Sequence, residues 1–138
     1  MAPTKTECET LCSHLGTSDP FPFFDRVSPD VFWDSMGDHP AAGHFTSLEA
    51  WKQGALGTIN RILREPLALK VVNVVGGGSG RDQDWAVVEL EASAVCKNGM
   101  PYPQRYAWVM RFDENGIIVQ DRAYLDSALV QKAVDSNS

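Results

Sequence analysis

The side chains that could move a proton or hold a developing charge are gathered in two runs near the C-terminus, residues 102–112 and 117–126. Side chains alternate faces along a strand. One face of the first run therefore carries Tyr102, Gln104, Tyr106, Trp108, Met110 and Phe112, and the other Arg105, Ala107, Val109 and Arg111. The first set is large and aromatic and is expected to wall a pocket. The second run splits into Ile118, Gln120, Arg122, Tyr124 and Asp126 on one face and Ile117, Val119, Asp121, Ala123 and Leu125 on the other. Hydrophobicity alone would turn the second of these inward. A three-residue turn with a bulge at Asn115-Gly116 would set Tyr106 opposite Tyr124 and turn the first inward, whereas a two-residue turn reverses the choice, because a one-residue slip flips every side chain.

Other candidates are sparser. Glu89 and Glu91 share a face with Trp85 and Val87; a mid-strand glutamate either pairs across strands, here with Arg105 or Arg111, or faces a pocket. His39 and His44 flank Pro40-Ala41-Ala42-Gly43, a spacing unlike the His-Glu-x-x-His pair of a metal-binding helix, so no metal site is expected. His39 could shuttle a proton with Asp38 or Asp34, or order its loop. Trp33 is either a pocket wall or core, and Trp51 reads as core beneath the sheet. The stretch Gly76-Gly77-Gly78-Ser79-Gly80 lacks the Lys-Ser/Thr of a phosphate loop and reads as a hairpin. Cys8, Cys12 and Cys96 read as small buried hydrophobes in a reducing cytosol. No Ser-His or Cys-His constellation competes for covalent chemistry.

The elements that must position these groups follow from periodicity and punctuation. Cys8, Leu11, Cys12 and Leu15 recur at helical spacing, with Thr6 and Glu9 as a capping box and Gly16 as the stop. Residues 31–36 read as a short strand and 38–44 as a loop. A second helix begins near Thr46, buries Leu48, Trp51, Ala55, Ile59 and Ile62, and ends before Pro66. Residues 67–75, 85–97, 102–113 and 117–126 are strand-like runs divided by turn signals and pair antiparallel. Residues 127–134 close the chain as a helix, which makes Asp126 either a pocket acid or that helix's N-cap. Helices set on one side of such a meander give an α+β fold, a cone-shaped, strongly curved antiparallel or mixed sheet wrapped around helices with a cavity at its open end.

Bulk properties narrow the function classes. The length of 138 residues fits one domain over 1–138. A net charge of −6 with scattered Lys and Arg argues against a nucleic-acid backbone partner. No apolar run reaches a membrane span. The polar, acidic N-terminus resembles neither a secretory signal nor a transit peptide, so a cytoplasmic protein is expected.

Three stretches carry a family resemblance. Residues 31–43 (Val-Phe-Trp-Asp-Ser-Met-Gly-Asp-His-Pro-Ala-Ala-Gly), residues 98–112 and Ala123-Tyr124-Leu125-Asp126-Ser127-Ala128-Leu129-Val130 resemble SnoaL-like proteins of the nuclear transport factor 2-like superfamily. The likeness runs from about residue 5 to 134 and keeps the element order. That superfamily includes ketosteroid isomerase-like enzymes, polyketide cyclases, fungal natural-product isomerases and cyclases, and members that only bind. The resemblance implies a site in the cone that needs no cofactor, and a homodimer. It implies an acid–base isomerase or cyclase acting on a hydrophobic polycyclic or polyketide-like small molecule of secondary metabolism. The alternative is a non-catalytic small-molecule-binding or dimerisation domain of the same fold.

Cyclases of this type place a catalytic acid at the position matching Asp126, which favours the inward face Arg122, Tyr124, Asp126. On that choice Asp126 moves a proton, Tyr106 and Tyr124 stabilise an oxyanion, and Arg122 or His39 orients a carbonyl. Trp33, Tyr102, Trp108, Met110, Phe112 and Glu91 would then contact the substrate.

Overall fold

The computed structural model describes residues 3–77 and 84–137. The chain opens with α1 (Lys5–Ser13), whose N-terminus is closed by a capping box of Thr4 and Glu7, two residues earlier than the Thr6/Glu9 pattern predicts. It buries Cys8, Leu11 and Cys12. A short helix, α2 (Phe21–Phe24), follows Pro20 and inserts Phe23 into the core.

The first strand is longer than its sequence pattern suggests. β1 (Val27–Ser35) pairs antiparallel with β2 (Gly43–Phe45) and parallel with the last strand, which places it inside the main sheet. Between β1 and β2, Gly37 adopts φ +107°, and a Cβ there would lie 2.2 Å from the Ser127 hydroxyl oxygen. Only glycine meets both demands.

The central helical segment begins at its N-cap Ser47, which accepts from the Ala50 amide. It runs as α3 (Leu48–Trp51), a π-helical turn (Lys52–Leu56) and α4 (Gly57–Asn60). Trp51, Ala55 and Ile59 are buried at i, i+4 and i+8, the apolar stripe expected of a helix packed on one side.

The remaining strands are β3 (Lys70–Gly76), β4 (Trp85–Glu91), the small β5 (Ala94–Val95) and β6 (Pro101–Tyr102), β7 (Arg105–Phe112) and β8 (Ile118–Leu125). Helix α5 (Ser127–Ser136) closes the fold. The six-stranded sheet has the order β2-β1-β8-β7-β4-β3, mixed because β1 and β8 run parallel. The predicted α+β architecture is present, a large curved mixed sheet with helices against its inner face. The β3–β4 pairing is antiparallel as predicted; of the predicted hairpin at Gly76–Gly80, residues from 78 on lie outside the described residues.

One irregularity decides which side chains face the core. Of the two turn lengths considered, the β7–β8 turn has the three-residue one, with the Asp113 amide donating to Ile117 O and the Asp113 carboxylate accepting from the Asn115 and Ile117 amides. It pairs Phe112 with Ile118. Next along the ladder, Arg111 faces Gln120, so β8 carries one extra residue, a bulge at Val119. From there Met110 faces Asp121, Trp108 faces Ala123 and Tyr106 faces Leu125. The turn favours one face, and the bulge hands the interior to the other.

Candidate functional site

The inner faces of β7 and β8 and the helix 48–60 line a cavity of about 130 Å³ that opens to solvent on one side. The sheet contributes Tyr106, Trp108, Ala123, Leu125 and Ser35; the helix contributes Trp51, Ala55, Leu56, Ile59 and Asn60. Leu15, Phe24, Ala41 and the segment around Pro66 and Leu69 complete the wall. The helical side includes the π turn, a feature common at functional sites.

Aromatic packing forms one end. Trp33 stacks on Trp51 at 3.8 Å and 17° between planes, and Trp108 stands edge-on to Trp33 at 5.2 Å. Phe23 and Tyr106 flank Trp108 at 5.9 and 6.4 Å. Offset-stacked and edge-to-face pairs suit the ring quadrupole, so this end of the cavity is held rigidly.

Among the described residues, four buried side-chain polar atoms lack a hydrogen-bond partner: Trp33 Nε1, the Tyr106 hydroxyl and both Asp121 carboxyl oxygens. A buried polar group without a partner costs about 1–3 kcal/mol, so such groups are rare unless something else satisfies them. Tyr106 lines the cavity. Burial, then the charge of the neighbouring Tyr102 phenol and a hydrogen-bonding interaction with it, push its own phenol well above the usual range, so it stays neutral. Asp121 is fully buried, faces Met110 on one side and is register partner of Trp33 on the other. Burial alone raises its pKa well above the ordinary carboxyl value. It is the only fully buried acid among the described residues, two positions from Ala123 on the same strand face.

The structure separates the predicted site residues into three groups. Tyr106 and Trp108 line the cavity. Trp33, Tyr102, Met110 and Phe112 point inward as expected but are core: Trp33 lies behind Trp51, and the other three are buried away from the cavity wall. Asp126, Tyr124, Arg122, Glu91 and His39 do not face the cavity.

The physical reasons differ. The Val119 bulge turns Arg122 and Tyr124 to the outer face, where the Arg122 guanidinium sits 4.9 Å over the Trp85 ring and Tyr124 is exposed. Asp126 is exposed and caps α5, accepting from the Leu129 amide. Its backbone is clamped by Gln104, whose amide accepts from Asp126 N and donates to Asp126 O. Asp126 is therefore not the deepest acid; Asp121 is. Glu91 lies on the outer face between Lys70 and Arg105. His39 is buried, but Nε2 donates to Met36 O and Nδ1 accepts from the Ala41 amide, so both ring nitrogens order the loop. Its suggested partner Asp34 bonds His44 instead.

Sequence reasoning missed Trp51, Ala55 and Ala123 as cavity residues and Asp121 as the buried acid. The alternation that makes 121, 123 and 125 the more apolar set did point to them. Among the described residues no group of three or more His, Cys, Asp and Glu is placed to hold a metal ion.

Comparison with solved structures bears on the architecture. A nuclear transport factor 2-like protein from Burkholderia thailandensis superposes with a TM-score of 0.70 over 91% of this chain and 95% of its own, at 22% identity. The fold is nuclear transport factor 2-like. TerC, co-crystallised with polyporic acid, matches this fold at a TM-score of 0.70 and 16% identity, covering 94% of this chain and 97% of TerC. A steroid delta-isomerase from Pseudomonas aeruginosa matches at 0.59 and 16% identity, covering 96% and 83%. In sequence, the chain is 29% identical over 114 residues to the dimerizing cyclase phiC of a fungal strain, covering 83% of this chain and 50% of that protein. It is 28% identical over 114 residues to the dimerizing cyclase tstC of Talaromyces stipitatus, with the same coverage. The chain thus spans about half the length of the curated relatives it matches. No protein-family model matches it. No helix among the described residues is long and apolar enough to cross a membrane.

Proposed function

We propose that this nuclear transport factor 2-like domain is an isomerase or cyclase that rearranges a hydrophobic, ring-containing small molecule of secondary metabolism. The observation that carries the reading is Tyr106, whose ring is on the wall of a mostly apolar cavity and whose buried hydroxyl has only the Tyr102 phenol beside it. A neutral phenol there donates a hydrogen bond to a substrate carbonyl, and the bond strengthens as negative charge develops on that oxygen. Asp121, raised by burial, is the one fully buried carboxyl among the described residues and the proposed proton store. The two cyclases that the chain resembles favour the same class of reaction.

The test is incubation with carbonyl-bearing ring metabolites and mass-spectrometric detection of products. Tyr106→Phe should lower turnover by 10²-fold or more. Unchanged turnover in that variant removes Tyr106 from the chemistry.

A second reading is favoured by a specific observation: no carboxylate or imidazole lines the cavity among the described residues. On that reading the domain binds a ring compound without transforming it. Saturable binding with no product for any candidate supports it.

The proposed assembly is a homodimer through the outer sheet face. Phe32, Val75 and Tyr124 are exposed there, beside the half-buried Val87 and Val109. Arg105 and Arg111 share this face with Glu89 and Glu91, charges that two copies related by a two-fold axis can pair reciprocally. Sedimentation should give a dimer, and Val109→Glu a monomer; a monomeric parent chain refutes the assembly. Three buried free cysteines suit a reducing compartment, so a cytoplasmic location is proposed.

A further inference from the structure

The size of the cavity is set by side chains that are small where neighbours are large. Ala41, Ala55 and Ala123 are each 3–5% exposed and reach it from the β1–β2 loop, the π turn and the sheet. Between them stand Trp51 and Trp108, whose rings are fixed by the aromatic cluster and cannot yield. A void of about 130 Å³ in such a wall is not a packing fault that the core could close. An apolar cavity of about 150 Å³ takes one benzene. A space of about 130 Å³ therefore takes one ring and no fused neighbour. The buried Tyr106 hydroxyl lies behind the wall and becomes one donor when its ring turns toward the space. Asn60, whose carbonyl oxygen accepts from the Leu67 amide at 2.9 Å, and Ser35 are the other side-chain polar groups on the wall.

We infer that the cavity is a single-ring subsite, taking one five- or six-membered ring bearing one hydrogen-bond acceptor, with Ala41, Ala55 and Ala123 leaving the room and Trp51 and Trp108 bounding it. This deepens the proposed function and rests on it only for the claim that the bound ring reacts. A larger substrate would seat one terminal ring here and leave its remainder outside.

Intrinsic fluorescence of the tryptophan cluster reports occupancy without any assumption about turnover. The probes are cyclohex-2-enone (one ring, one acceptor), toluene (one ring, no acceptor) and anthrone (three fused rings, one acceptor). Cyclohexenone and toluene should bind saturably, and anthrone, which can seat only one of its fused rings, more weakly. Tyr106→Phe should weaken cyclohexenone about 5- to 10-fold and leave toluene unchanged. Ala123→Leu and Ala55→Leu put an isobutyl group into the space from opposite sides. Each should abolish binding of both small rings while far-UV circular dichroism and cooperative unfolding are retained. If one variant fails to fold, the other decides.

Anthrone binding as tightly as cyclohexenone, binding of no single ring, or unchanged binding in a folded leucine variant would overturn the subsite. Absence of turnover with this binding pattern intact would overturn the catalytic reading and leave the subsite standing.

Discussion

Replacing Asp121 tests the interior of this fold most directly. Its carboxyl is fully buried, both oxygens are without partners, and burial raises its pKa above the ordinary 3.8. The folded state therefore keeps the proton over a pH range in which the unfolded chain has released it. With fewer protons bound in the unfolded state, stability falls as pH rises, by about 1.4 kcal/mol per pH unit, from the ordinary carboxyl value up to the raised native one. Even neutral, the unpartnered carboxyl costs about 1–3 kcal/mol. Asp121→Leu removes both penalties. Asp121→Asn removes only the titration and leaves an unpartnered polar group.

Urea unfolding at pH 5 and pH 8 measures this. The leucine variant should be more stable at both pH values, with the gap widening towards pH 8. The asparagine variant should lose the pH dependence and gain little at pH 5. Glu7 and Asp113 have lowered pKa values through backbone hydrogen bonds, so their stabilisation is lost as pH falls. They are unchanged in the variants and cancel from the difference. A gap that stays constant between pH 5 and pH 8 would show that Asp121 is not held protonated and would refute the reasoning. If the leucine variant is more stable yet inactive, Asp121 belongs to the chemistry, with stability given up for function.

Further outcomes follow from single contacts. Asp126→Ala removes the α5 cap and should cost about 1 kcal/mol in thermal or urea unfolding, with ring binding unchanged, since Asp126 does not line the cavity. Gly37→Ala meets both a positive φ and the Ser127 hydroxyl oxygen, and should cost on the order of 2 kcal/mol or more. The Cys8 and Cys12 thiols are pushed up to about 11 and about 12, chiefly by burial. A thiol reagent at pH 8 should therefore label neither in the native protein and both in denaturant.

Much of this protein is legible in its residues one segment at a time. The alternation of Tyr102, Gln104, Tyr106, Trp108, Met110 and Phe112 dictates that one face of that strand is buried, and all six are. The spacing of Trp51, Ala55 and Ile59 dictates a one-sided helix, and the Asp126-Ser127 start of the last helix dictates a cap. These are local consequences of period, propensity and hydrogen bonding, so a linear chain can carry them.

Three other facts belong to the tertiary structure alone. The apolar bias of 121, 123 and 125 leaned towards Asp121, but the one extra residue at Val119 that turns it inward has its position fixed by how β8 packs against β1 and β7 together. The commitment of both His39 nitrogens depends on a loop closing back on Met36 and Ala41. The cavity is a volume left unfilled between alanines distant in sequence and tryptophans that cannot move to fill it. A void has no residue of its own, and only packing in three dimensions can make one.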